Sequence, residues 1–214
     1  MLKGVILTII DTIIPPRERA VRLRTLSAAE LPLSPRVETR NGIAITSLMP
    51  YHGTPAEDAV RALKYDGSRA AARLIAAALE DYLREEIAAL RLLSPRPVIL
   101  VPVPLHSSRR RERGFNQIER VLAELPQEFH DGTVSRLITN ALFRVRATPP
   151  QTKLARAERL RNLRGAFSAR ERMVRGAHVI VIDDVMTTGT TLAECRKALE
   201  KCGARVSALA FARA

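Results

Sequence analysis

Seven residues near the carboxyl end have the types and spacing to do chemistry: Asp183 and Asp184, then Thr187, Thr188, Thr190 and Thr191 around Gly189. Ionised carboxylates only accept hydrogen bonds, which suits sugar hydroxyls or a hydrated Mg²⁺. Threonine hydroxyls donate, and glycine lets the backbone approach a ligand or take positive φ. Val179 to Ile182, directly before the pair, is a β-branched run of the kind found in short strands buried on both faces. A carboxylate is costly inside such a strand, so the strand is expected to end at Ile182, with the pair meeting solvent. Thr191 and Glu194 read as a capping box opening a helix, with Leu192, Cys195, Leu199 and Cys202 as its apolar stripe and Gly203 as its stop. Ala204 to Phe211 reads as a further strand. A small-residue loop between a strand's carboxyl end and a helix's amino end presents unpaired N–H groups, reinforced by the helix dipole. A phosphate nest beside hydroxyl acceptors describes a sugar-phosphate site. Successive residues on an extended chain point to opposite sides, so one ion gripped equally by both carboxylates is not expected. Two adjacent like charges repel, so neutralising one is expected to leave stability unchanged or higher. The P-loop spacing G-x-x-x-x-G-K-[ST] is absent from the sequence.

Val179 to Thr191 resembles the phosphoribosyl pyrophosphate (PRPP) signature of type I phosphoribosyltransferases. The resemblance implies that Asp183 and Asp184 face the ribose 2′- and 3′-hydroxyls and that Thr187 to Thr191 hold the 5′-phosphate, with Mg²⁺ arriving on PRPP and no metal held directly by the protein. Further blocks narrow it. Tyr51 to Gly67, Pro102 to His106, Arg113 to Gln117, and Thr148, Gln151, Arg159, Asn162 and Gly165-Ala166-Phe167 are together similar to the ComF family of competence-associated phosphoribosyltransferases. That likeness covers about residues 50 to 214. It implies that Val103, Pro104, Leu105 and His106 form the turn receiving pyrophosphate, and that residues 146–167 form or adjoin a mobile hood. Arg113, Lys153, Arg159 and Arg164 are candidates to clamp the leaving group; each also reads as a solvated surface charge. Relatives that salvage purines often carry Asp where Thr187 stands, so that chemistry is disfavoured; His106 is a candidate for that role, though a lone His is more often structural. Asn116 and Gln117 either cap a helix or bind ligand. The family usually opens with a four-cysteine zinc module, whereas no Cys precedes Cys195 here, so no zinc is expected.

The elements that position these residues are legible from about Thr54 onward. Thr54-Pro55-x-Glu57 starts a helix that Asp66-Gly67 stops. Ser68 caps a second, long helix ended by Pro95 and Pro97, and Val98 to Val101 is a buried strand. A helix follows Asn116-Gln117 with Ile118, Val121, Leu122 and Leu125 inward, and Leu142 to Val145 reads as a strand. The expected fold is α/β, of type I phosphoribosyltransferase kind: a mostly parallel twisted sheet flanked by helices. Residues 49–214 form that domain, and residues 1–48 a short appendage, the degenerate counterpart of a zinc module.

Length suits one domain with an appendage. Of 35 basic residues thirty are Arg, and against 22 acidic residues they leave a net charge of +13. Such a surface attracts polyanions, and Arg109, Arg110 and Arg111 are the candidate DNA contact; a compositional habit of the genome accounts for the charge equally well. Cys195 and Cys202 lie seven apart on one helix, roughly 10 Å, too far for a disulfide and in keeping with a reducing compartment. No apolar run reaches membrane-span length, and the cytoplasm is the expected location. Two functions stand: Mg²⁺-dependent transfer of phosphoribose from PRPP to an acceptor, and a non-catalytic nucleic-acid-handling role on the same fold.

Overall fold

In a computed structural model, the structure describes Leu23 and residues 26–105, 114–146 and 163–214. Its centre is β7, His178–Met186, in which Val179, Ile180, Val181 and Ile182 are all essentially inaccessible. Branched side chains on both faces can only be satisfied by layers on both faces, which is what the chain builds. Among the described residues, five parallel strands and one antiparallel edge strand run in the order β1-β2-β8-β7-β3-β4, where β1 is Arg36–Arg40, β2 Ile43–Pro50, β3 Val98–Pro102, β4 Arg136–Leu137 and β8 Arg205–Arg213. On one face Ile180, Ile182, Leu209 and Phe211 pack against helices α1 (Pro55–Asp66), α2 (Arg69–Leu93) and α3 (Gln117–Leu122). On the other, Val179, Val181, Ala208 and Ala210 pack against α5 (Thr190–Lys201) and against a small antiparallel pair, β5 (Leu142–Arg144) with β6 (Phe167–Ala169). A four-residue helix, α4 (Glu171–Val174), leads into β7. This is the expected doubly covered α/β architecture.

Local signals behave largely as their chemistry dictates. Ser68 accepts a hydrogen bond from the Ala71 N–H, and Gly67 ends α1 in the left-handed region. Pro55 opens α1, but the Thr54 hydroxyl donates back to the Pro50 carbonyl at 2.8 Å instead of capping the helix. Ile118, Val121, Leu122 and Leu125 are buried, as the apolar spacing predicts. Leu142 to Arg144 is a strand, though in the small sheet rather than the main one.

Three expectations are corrected. The strand does not end at Ile182. It runs through both aspartates to Met186, because β8 continues beside it (Asp183 opposite Ala210, Val185 opposite Ala212) while its other neighbour stops at Pro102. The helix after the loop begins at Thr190 with Gly189 as its N-cap, so Thr191 and Glu194 form no capping box; Glu194 instead accepts from the Gly165 N–H and from Lys197. The sheet also begins earlier than residue 49. Ile45, Leu48 and Met49 are fully buried in β2, which pairs with β8, so the expected 48/49 boundary falls inside a core strand.

Candidate functional site

The carboxyl ends of β3 and β7, the amino end of α5, the turn between β1 and β2, and one face of α1 meet at one edge of the sheet. The Val103 N–H donates to the Ile182 carbonyl at 2.9 Å, which seats the Val103-Pro104-Leu105 turn beside the aspartates. The Val103 carbonyl accepts from the Asn116 amide at 3.0 Å, while the Asn116 side-chain oxygen caps α3 through the Ile118 N–H.

The two aspartates have different partners. Asp184 is buried; its Oδ2 lies 2.9 Å from the Lys64 ammonium and accepts from the Gln117 amide at 2.6 Å, and its Oδ1 accepts from the Val185 N–H. Burial pushes its titration upward, but Lys64, Gln117 and that N–H outweigh burial and hold it below the usual carboxylate range. Asp183 is less covered yet worse compensated. Burial first, and the charge of Asp184 second, push it up to about 7 against the partial relief of Lys64 and Arg144. One carboxylate is therefore held as an anion, while its neighbour keeps its proton well above the usual carboxylate range. Tyr51, next to this cluster, is pushed up to about 12 by burial and by Glu57, so its hydroxyl stays a neutral donor.

The loop from Thr187 to Gly189 is shaped by its neighbours. Gly189 has φ 73°, and a Cβ there would lie 2.7 Å from Ile45 Cδ1 and 2.8 Å from Arg40 Cβ. Only glycine meets both demands. The Thr188 and Thr190 hydroxyls are 2.9 Å apart, Thr190 is 2% exposed, and Thr187 is exposed at the rim. From the far side the Asn41 amide donates to the Thr188 carbonyl at 2.8 Å and to the Thr190 hydroxyl at 3.4 Å. The first N–H groups of α5 have no partner within the helix and open on the same side as the loop.

The structure thus brings together Asp183, Asp184, Thr187, Thr188, Gly189, Thr190, Thr191, Val103, Pro104 and Leu105. Arg164 is exposed, with its carbonyl accepting from Arg146. His106, Arg109, Arg110, Arg111, Arg113, Lys153 and Arg159 lie outside the described residues. No group of three or more metal-ligating side chains occurs among the described residues, and no described helix is long and apolar enough to cross a membrane. Lys64 lies within the Tyr51 to Gly67 stretch that carries the family resemblance, with no role assigned to it there, and Arg144 and Asn41 carry no signal of their function in the sequence. For Asn41 a structural signal exists: Asn-Gly between two runs of strand-forming residues marks a tight hairpin turn, and Asn41 and Gly42 have φ 52° and 77°.

The fold is that of a phosphoribosyltransferase-type domain, and the Phosphoribosyl transferase domain family matches residues 113–213. Over 132 residues the chain is 41% identical to the "DNA utilization protein YhgH" of Salmonella typhi, a match covering 61% of this chain and 56% of that protein. It is 33% identical over 137 residues to "Competence protein F" of Haemophilus influenzae, covering 63% and 56%, and 32% identical over 113 residues to "Competence protein ComFC" of Bacillus subtilis, covering 53% and 42%. These likenesses agree with the resemblance to the ComF family. The chain matches only about half the length of each of these relatives.

Proposed function

We propose that this protein binds PRPP with Mg²⁺ and transfers its phosphoribosyl group to an acceptor. The observation that carries the reading is the placement of two acceptor carboxylates and a donor-rich threonine loop at the end of the same strand, on the amino end of a twelve-residue helix. A phosphate monoester suits the loop, and ribose hydroxyls suit the carboxylates. Displacement of pyrophosphate builds positive charge at the anomeric carbon and negative charge on the leaving group.

The protein's own groups answer these demands separately. Asp184, held ionised by Lys64 and Gln117, accepts from a ribose hydroxyl. Asp183, titrating near 7, either accepts or donates at the adjacent hydroxyl. The Val103 to Leu105 turn flanks the leaving group, with Arg113, Lys153, Arg159 and Arg164 as the candidates to neutralise it. A metal suits this donor set only as a passenger on the diphosphate. The carboxylates serve different partners, and Mg²⁺ prefers to keep several waters and take its remaining ligands from substrate phosphates. When bound, it neutralises charge on the departing pyrophosphate.

Calorimetric titration tests the reading. PRPP should bind with one site per chain, more tightly with Mg²⁺, and ribose 5-phosphate should compete. Absence of heat with PRPP at millimolar concentration under both conditions overturns it. The second reading, a nucleic-acid-handling role, is favoured by the net charge of +13 and by relatives whose names refer to DNA utilization and competence. The two are compatible.

A further inference from the structure

Of the contacts made to the threonine loop, those from the β1–β2 hairpin arrive from the part of the chain outside the matched domain. The turn residues Arg40 and Asn41 lie directly on it. The Arg40 side-chain stem fills the space against Gly189, and its guanidinium is fixed by Glu38 at 2.6 and 2.9 Å, so the stem stays in place. Asn41 makes the polar contacts, donating to the Thr188 carbonyl and the Thr190 hydroxyl.

We infer that Asn41 is a positioning residue that converts the Thr187–Thr191 loop into a donor-only cradle for a phosphate monoester. The inference rests on the sugar-phosphate reading of that loop. Two steps carry it. A carbonyl oxygen at the mouth of an anion site repels the anion, and the Asn41 amide occupies the Thr188 carbonyl and draws it away from the mouth. The hydroxyls are then ordered by the same amide. Thr190 is buried and accepts from Asn41, and its hydroxyl lies 2.9 Å from that of Thr188; in the proposed row Thr190 is the donor of that pair. Thr188 is only half-buried, and its proton, having no other claim inside the pair, points outward to the ligand. The chain runs Asn41 N–H to Thr190, Thr190 O–H to Thr188, and Thr188 O–H to phosphate. Hydrogen bonds in such a row polarise one another, which strengthens the last donor.

Two variants separate this role from simple support of the turn. Asn41 has φ 52°, a conformation that glycine adopts freely and Asp tolerates. Asn41→Gly therefore deletes the amide without straining the turn. Asn41→Asp keeps its shape but replaces the donor with an acceptor. Each would be titrated with ribose 5-phosphate, PRPP and unphosphorylated ribose, with a thermal melt run in parallel. The expected result is about tenfold weaker binding of both phosphorylated ligands in Asn41→Gly and roughly a hundredfold or greater loss in Asn41→Asp, with ribose affinity unchanged in both. Phosphorylated ligands bound as tightly by folded Asn41→Gly as by the parent overturn the inference while leaving the function intact. So does equal weakening of all three ligands, which marks a structural role. A parent that binds neither phosphorylated ligand overturns both readings.

Discussion

At the scale of single residues, adjacent aspartates turn out not to be equivalent, and they should respond to substitution in opposite ways. In the proposed PRPP complex, Asp184→Asn removes the charge that strengthens the bond from this side chain to a ribose hydroxyl. Charge-assisted bonds are worth about 1.5–3 kcal/mol, so PRPP should bind roughly tenfold to a hundredfold more weakly. Repulsion between the two carboxylates alone suggests that this variant keeps or gains stability. The Lys64 contact reverses that expectation: with its side chain only 19% exposed, Lys64 would be left as a poorly solvated, unpaired cation. The melting temperature of Asp184→Asn should fall below the parent's at pH 7; an equal or higher value would show that the pair is not structural. Asp183→Asn should do the reverse, and only at higher pH. The folded protein holds the Asp183 proton up to about pH 7, whereas an unfolded Asp releases it near 3.8. The stability from this preference is complete below the unfolded value and is lost as pH rises through 7. Asn escapes that loss, so melts from pH 4 to 8 should show no gain at the acid end and a gain on the order of 2 kcal/mol above pH 7, held to that size because water still screens the site. A pH-independent difference would contradict the assignment. The pair itself was legible in the sequence, since doubled carboxylates after a β-branched run are costly unless a ligand or a solvated edge receives them. Its division of labour was not legible, because it is decided by Lys64, Gln117 and Arg144 on three other elements.

At the scale of elements, the β7–loop–α5–β8 unit was readable because each piece obeys a local rule: branched residues for the buried strand, a glycine for the left-handed turn, an apolar stripe for the helix. Two local rules failed there for non-local reasons. The strand outruns its expected end because β8 stays alongside it, and Glu194 leaves the capping box for the Gly165 N–H. The β1–β2 hairpin is hard to read although Asn41-Gly42 announces its turn, since alternating Arg, Glu and Thr on an edge strand resembles a solvated linker. This hairpin makes Gly189 unusually intolerant of substitution. In Gly189→Ala the left-handed conformation costs about 1–2 kcal/mol and the overlap with Ile45 and Arg40 about 1–3 kcal/mol more. The protein should therefore lose about 2–5 kcal/mol in denaturant unfolding and, in the fraction that folds, its affinity for ribose 5-phosphate. A stable Gly189→Ala with parental affinity would mean that the hairpin does not pack on the loop.

At the scale of the whole molecule, the charge is not spread evenly. Residues 106–113 carry four Arg against one Glu, and residues 147–162 four basic residues against one Glu. Several arginines of the described residues are spent on neighbours: Arg84 on Glu80 and Glu128, Arg69 and Arg73 on Glu124, Arg196 on Glu200. Paired arginines have less to gain from a phosphate, because they must first give up a partner. If this protein handles nucleic acid, residues 106–113, with four Arg against one Glu, are the candidate contact. Binding through them should be indifferent to sequence, since counterion release from phosphates carries no base information. Each arginine engaged contributes roughly 0.7–0.9 to the slope of log affinity against log salt. Changing Arg109, Arg110 and Arg111 together to Ala should thus flatten that slope by roughly 2–3 and weaken all sequences alike. PRPP binding, which in the proposed complex draws on the Asp184 and threonine-loop groups, should stay at the parent's level in the same variant. Fluorescence anisotropy with two unrelated oligonucleotides over a salt series reads both quantities. An unchanged slope would remove this segment as the contact, and a loss confined to one oligonucleotide would show that bases, not phosphates, are being read.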